Sequence, residues 1–414
     1  MRRTLVTAGS FTLLLGSATG VAAADGTHGG DHGGGFSPVV VATGLNSPRQ
    51  LSWAGDTLLI AEAGQGGENC APTKPDDPLC AGPTGRISAV PDADHTFNVM
   101  AETLVSGLFS VETAEGTIGS DGVAWTGFPG VYLIAEGEQT FDALAKPGVE
   151  TDDPAAETQE HLLVSVEGQV FPWVDLGKAE RQQNPDKAQL DSNPNAVIVV
   201  DPTPTGEPGN DEYALVADAG ANTVWKVTPD FTKLDKFGLP AATVTVFATY
   251  PPGKGADAPE FVPSALDQDE HGNIYVGGVG SFVPGGAAVV RYDKNGTETA
   301  RWDGFTAING LAVADDGNTL YVSQIFGNEG SGTGNVVRVD TRHKTWTAVD
   351  VPFPSGVAVH GSSDTVFASA FSLSPADADD PTTPDVVEGG QVWRFSFPEH
   401  AHEAPLPVTP PSAG

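Results

Sequence analysis

Two sets of polar residues recur at fixed places in this 414-residue chain, and chemistry must be sought among them first. One set opens successive apolar segments: Arg49, Asp121, Asn195, Ser264, Asn309 and Ser355. The other closes the segment that follows: Glu62, Glu136, Asp218, Gly277, Gln324 and Ser369. Together they offer four carboxylates and three side-chain amides. Oxygen donors of this hardness suit Ca²⁺, which takes roughly six to eight of them. Asp121, Asn195 and Asn309 are the metal candidates, and calcium is the cofactor such a site implies. The same residue types also satisfy turn amides through their own side chains, so a structural role stays open. No Gly-x-Ser-x-Gly elbow, His-Glu-x-x-His pair or phosphate loop occurs. His95, His161, His271, His343 and His360 are scattered over turn signals and insertions and read as surface residues. No residue is assigned a catalytic role.

What brings these positions together is a repeated module, clearest from Phe305 to Asp340. Gly310–Ala314 and Leu320–Ser323 are short apolar strands around the turn signal Asp315-Asp316-Gly317-Asn318, and Asn335–Val339 follows. Val, Tyr and Thr dominate with a period near two, which predicts strands. Other copies start at Asn46, Ser120, Asn193, Val262 and Pro354. Ser264 and Asn309 are 45 residues apart, and Asn309 and Ser355 are 46 apart. A period in the forties with three or four strands marks a propeller blade, and six copies predict an all-β, six-bladed β-propeller. Phe97–Leu104, Thr243–Ala248, Thr297–Trp302 and Thr345–Val351 supply fourth strands, and Gln169–Val174 reads as the third strand of the second copy. The last copy lacks a fourth strand, because the tail after Phe397 is Pro-rich. Phe36–Leu45 resembles Phe97–Leu108, so the N-terminal segment is expected to close the last blade beside Gln391–Phe395. In that fold every first-strand start and second-strand end shares one face. The two polar sets then ring one channel mouth, with Arg49 as the alternative counter-charge to a cation.

Residues 1–24 read as a signal peptide: Arg2 and Arg3, an apolar run from Leu5, and Ala22-Ala23-Ala24 as a cleavage site. General export and a twin-arginine route both remain open. Residues 25–35 form a Gly/His linker, 36–398 the propeller and 399–414 a disordered Pro-rich tail. A net charge of −34 argues against nucleic-acid partners and anionic membranes. No stretch is long and apolar enough to span a membrane. The expectation is a secreted, extracellular monomer. Cys70 and Cys80 are the two cysteines, so export predicts a disulfide with Cα atoms roughly 4.4–6.8 Å apart. A two-cysteine metal site is the alternative. Six of the seven tryptophans, Trp125, Trp173, Trp225, Trp302, Trp346 and Trp393, are expected between blades.

Several stretches carry a resemblance: GLNSPRQL at Gly44–Leu51, LLIAEAGQGGENC at Leu58–Cys70, and CAGPTGRISAV at Cys80–Val90. ERQQNP and SNPNAVIVV follow between Glu180 and Val200, then VADAGANTVWKV at Val216–Val227, FVPSALD at Phe261–Asp267 and GGAAVVRY at Gly285–Tyr292. In that order they resemble the ScyD/ScyE family of secreted propeller proteins. The resemblance implies a six-bladed, TolB-like propeller and implies no reaction. Gln50 departs from it, standing where the family usually has Gly. Three functions stay open: a non-enzymatic protein binding a small molecule, peptide or cell-surface partner; a calcium-dependent lactonase or esterase; and a structural envelope protein.

Overall fold

The structure is a computed structural model. It describes residues 37–70, 80–113, 116–137, 157–201, 211–253, 258–314, 316–326, 334–360, 364–373, 389–397 and 404–405. The signal peptide, the linker and most of the tail lie outside the described residues.

Six antiparallel sheets form a six-bladed β-propeller. The regularity comes from period-two patterning on strands buried on both faces. Ala214 and Val216 point at the second blade, while Tyr213, Leu215 and Ala217 point at the fourth. Six hydrophobic clusters result, one per blade interface. Trp225 and Trp302 are buried in two of them; Trp173 and Trp346 pack at the edges of clusters. Each interface buries on the order of ten apolar side chains, at about 1.5–3 kcal/mol each for the larger ones.

The ring closes as predicted. Val39–Leu45 pairs antiparallel with Gly390–Ser396, through Val40 opposite Trp393 and Ala42 opposite Val392. Val41, Ala42 and Leu45 are buried where the last blade meets the first.

Three strand expectations need correction. In the second blade His161–Val166 is the third strand and Gln169–Asp175 the fourth. The hairpin between them is Glu167-Gly168, both with left-handed backbone (φ 49° and 81°), a turn hidden inside a stretch read as an insertion. In the first blade the outer strand is Glu102–Thr113, later and longer than Phe97–Leu104. Val99–Met100 instead pairs parallel with the closing N-terminal strand. Within the tail, Ala404–Pro405 makes a two-residue ladder on Thr345–Asp350.

Cys70 and Cys80 are bonded. They face each other directly in the Asn69–Cys70 and Cys80–Val90 ladder, which draws their Cα atoms to 3.9 Å, below the range expected. Among the described residues, no helix is long and apolar enough to cross a membrane. The one α-helix among the described residues, Leu176–Gln183, bridges the second and third blades, and Asp175 caps it by accepting from Lys178 N–H at 2.6 Å.

Candidate functional site

Each blade brings the start of its first strand and the end of its second to one mouth of the channel, here called the upper face. A repeated backbone bond fixes the approach. The residue two before the strand start accepts from the residue just beyond the second strand: Ser47 from Ala63, Gly119 from Gly137, Asn193 from Ala219, Val262 from Val279 and Ala307 from Ile325. Ser47, Val262 and Ala307 adopt left-handed backbone to do so (φ 51°, 50° and 49°), an unfavourable conformation held by the flanking strands. The register also shows that Gly278 and Ala370, rather than Gly277 and Ser369, occupy the positions equivalent to Glu62.

Three of the predicted carboxylates are drawn back from the mouth. Glu62, Glu136 and Asp218 are fully buried, and each latches the loop that starts its own blade. Glu62 accepts from Asn46 N–H at 2.6 Å, from Arg86 at 2.8 Å and from Ser88. Glu136 accepts from Ser120 at 2.8 Å. Asp218 accepts four times, from Ser192, Asn193 N–H, Ala221 N–H and Trp225 Nε1. Gln324 does the same work in the fifth blade, accepting from Thr306 N–H at 2.6 Å. Glu62, Asp218 and Gln324 satisfy turn amides, the structural role left open above, while Glu136 holds the Ser120 hydroxyl. Burial pushes Asp218 up to about 6 against its four hydrogen bonds, and pushes Glu136 well above the carboxylate range.

The six strand-start residues do meet. Arg49, Asp121, Asn195, Ser264, Asn309 and Ser355 line one cavity, joined by Gln50. Its volume is about 10 Å³, room for roughly one water. Two features close it. Arg49 Nε lies 3.2 Å from Asp121 Oδ1, with both side chains about 10% exposed. The Arg49 guanidinium also donates to the Thr117 carbonyl. Burial raises Asp121 to about 6, and the Arg49 charge works against that rise. The second feature is Gln50, which reaches from the first blade to the third. Its Nε2 donates to Val197 O at 3.0 Å, and its Oε1 accepts from Val197 N–H at 3.1 Å. Gly122 of the intervening blade permits this, since a Cβ there would stand 2.7 Å from Gln50 Oε1 and 3.0 Å from Ala196 Cα. On the far side Asn309 Nδ2 donates to Ser355 Oγ, and Ser264 Oγ to Ile308 O, both at 2.6 Å.

This donor set does not fit calcium. Asp121 is its one carboxylate, and that carboxylate faces a guanidinium. Asn309 turns its amide nitrogen, not its oxygen, to its neighbour on the wall. Among the described residues no three His, Cys, Asp or Glu side chains gather as a metal site. Four of the described histidines lie away from the mouth: His95 and His343 are exposed beside Asp92 and Asp340, His161 meets Gln159 O, and His360 stacks on Trp53 beside Asp94.

Two upper-face features escaped sequence reasoning. Gln50 was visible only as a departure from the family pattern. Phe282, Phe326 and Phe353 form an edge-to-face row across blades four to six, with centroids 6.0 and 6.5 Å apart and Phe282 58% exposed. They sit in three separate loops, so no spacing announces them.

No family model and no curated protein matches the sequence. Among solved structures the chain is similar to a luciferin-regenerating enzyme (11% identity, TM-score 0.46, covering 89% of this chain and 97% of that one). It is also similar to a Bacteroides thetaiotaomicron protein of unknown function (12%, TM-score 0.46, covering 88% and 73%). A third is the Kuenenia stuttgartiensis hydrazine synthase (12%, TM-score 0.38, covering 79% and 75%). At those scores the likenesses bear on no function.

Proposed function

We propose that this chain is an exported, non-enzymatic binding propeller of the ScyD/ScyE kind, and that its partner sits on the upper face. The observation that carries the reading is the Arg49–Asp121 pair, which neutralises the mouth internally where a lactonase-type site needs a metal. The cavity behind it has room for about one water, so a partner is met on the rim rather than inside. The Phe282–Phe326–Phe353 row offers apolar contact on that rim. Aromatic side chains of this kind dominate binding surfaces because they bring large area at low entropy cost. The partner is a small molecule, peptide or cell-surface component. The disulfide fits an oxidising destination, and the N-terminal apolar segment supplies the export route.

The reading is tested with lactones and nitrophenyl esters, each with and without calcium. No turnover above buffer is expected. Turnover that disappears in Asp121→Asn would establish the hydrolase instead.

A further inference from the structure

We propose that the junction between the helix Leu176–Gln183 and the third blade is a calcium site, with Glu180 as its central ligand and the amide oxygens of Asn184 and Asn222 beside it. Glu180 is fully buried, and neither of its carboxylate oxygens has a hydrogen-bond donor. Asn184, one turn further along, and Asn222 each bury an amide oxygen without a donor. Ten buried side-chain polar atoms among the described residues stand unpartnered; four of them belong to these three residues, and all four are acceptors. Buried acceptors without donors are costly, and a carboxylate most of all. Asn184 N–H bonds the Glu180 carbonyl, and Asp186 both accepts from Asn222 and acts on Glu180, so these buried acceptors belong to one junction, where a cation would serve them better than a rearranged donor.

The amide orientations are fixed independently. Asn222 Nδ2 donates to Asp186 Oδ2 at 3.2 Å, and Asn184 Nδ2 donates to Ala188 O at 3.2 Å, which leaves each amide oxygen free. The charge balance points the same way. Asp186, Asp218 and Asp191 all raise the Glu180 pKa, while Lys187 alone lowers it. Lys187 Nζ is committed to the carbonyls of Gln183 and Asn184 at 3.4 and 2.8 Å, closing the helix end. Asp218 already accepts four hydrogen bonds, so it contributes field rather than a free ligand atom.

The donors are carboxylate and amide oxygens, with no sulfur or imidazole among them. That chemistry selects a hard cation, and a site mixing one bidentate carboxylate with amide oxygens and water suits calcium better than magnesium. Among the described residues no three carboxylates converge by themselves, so the amide oxygens are a necessary part of the set. Without a cation, Glu180 must be held as a neutral acid. Burial and the surrounding aspartates push it in that direction, up to about 7.

The test uses the full mature chain after chelator treatment. Calcium at about 1 mM should raise the melting midpoint by at least about 3 °C, with magnesium giving less than about a third of that shift. Terbium should show tryptophan-sensitised emission, because Trp225 Nε1 is bonded to Asp218 beside the site. Glu180→Gln should abolish both effects, since a neutral amide brings no charge to hold the cation. Asn184→Gly keeps the left-handed helix cap (φ 39°) unstrained, lowers the calcium-free melt slightly by removing the bond to Ala188 O, and should weaken calcium binding at least about tenfold. Asp121→Asn should leave the calcium response intact. Absence of any calcium shift or terbium emission in the wild-type chain would overturn the proposal and assign Glu180 as a neutral acid. A response that survives Glu180→Gln would also overturn it.

Discussion

Gln50 holds Val197 by both ends of its side-chain amide, 3.0 Å from nitrogen to carbonyl and 3.1 Å from oxygen to N–H. A side chain of the first blade thus imitates a strand partner for the third, across the backbone of the second. With the Arg49–Asp121 pair, this clasp turns the channel mouth from an open funnel into a plug.

Removing the clasp has two separable consequences. Gln50→Ala deletes two hydrogen bonds to buried backbone and should cost about 2 kcal/mol in urea unfolding. Gly122→Ala places a methyl against Gln50 Oε1 and Ala196 Cα, so it should cost about 1–3 kcal/mol. The double variant Gln50→Ala, Gly122→Ala should lose less than the sum, because the first change relieves the clash with Gln50 Oε1. Additive losses would show that the two sites are independent.

The ion pair predicts a similar non-additivity. Asp121→Ala leaves Arg49 almost buried beside no carboxylate and should cost about 3 kcal/mol. Replacing both residues, as Arg49→Met with Asp121→Leu, should restore most of that loss, because two apolar side chains need no compensation. A double variant weaker than either single one would count against a compensated pair.

Acidity gives an independent check. Asp121 and Asp218 are raised to about 6, Glu180 to about 7, and Glu136 well above its ordinary value. A carboxyl whose folded pKa lies above its unfolded one binds more protons when folded, so each such group destabilises the fold as pH rises from about 4 through its folded pKa. Asp230, Asp293, Asp316 and Asp340 are lowered by hydrogen bonds and oppose this only at more acidic pH. The melting midpoint in chelator should therefore be higher at pH 5 than at pH 7. An equal or lower midpoint at pH 5 would contradict the burial of these groups.

Ring closure should be visible in a truncation. A chain starting at Gly44 loses Val41 and Ala42 from the interface of the last and first blades and exposes the edge of Gly390–Ser396. The expected loss is at least about 3 kcal/mol, read as a lower urea midpoint than the full mature chain. Reduction of Cys70–Cys80 should cost about 3 kcal/mol or less, since it closes a short loop at the edge of the first blade.

Much of this was legible in the sequence, for physical reasons. Period-two strands and a spacing in the forties determine blade number, and topology then forces Arg49, Asp121, Asn195, Ser264, Asn309 and Ser355 to one mouth. Side-chain direction was not legible. Glu62, Glu136 and Asp218 reach the upper face, yet each turns inward to the loop that starts its own blade, where turn amides meet Glu62 and Asp218 and the Ser120 hydroxyl meets Glu136. The strand slips had the same origin. Glu167-Gly168 is a two-residue turn whose signal is short, and a long insertion before it masked the third strand. Glu180 was quoted only as the first letter of a motif; nothing in its spacing says that both carboxylate oxygens end up buried without donors.

The most direct measurement is a calorimetric calcium titration of the Glu180→Gln chain, in which the junction site is removed and the channel mouth is intact. If Arg49 and Asp121 compensate each other, no binding heat and no shift of the melt should appear up to millimolar calcium. Binding that persists in Glu180→Gln and vanishes when Asp121→Asn is added would place the cation in the mouth and contradict the account.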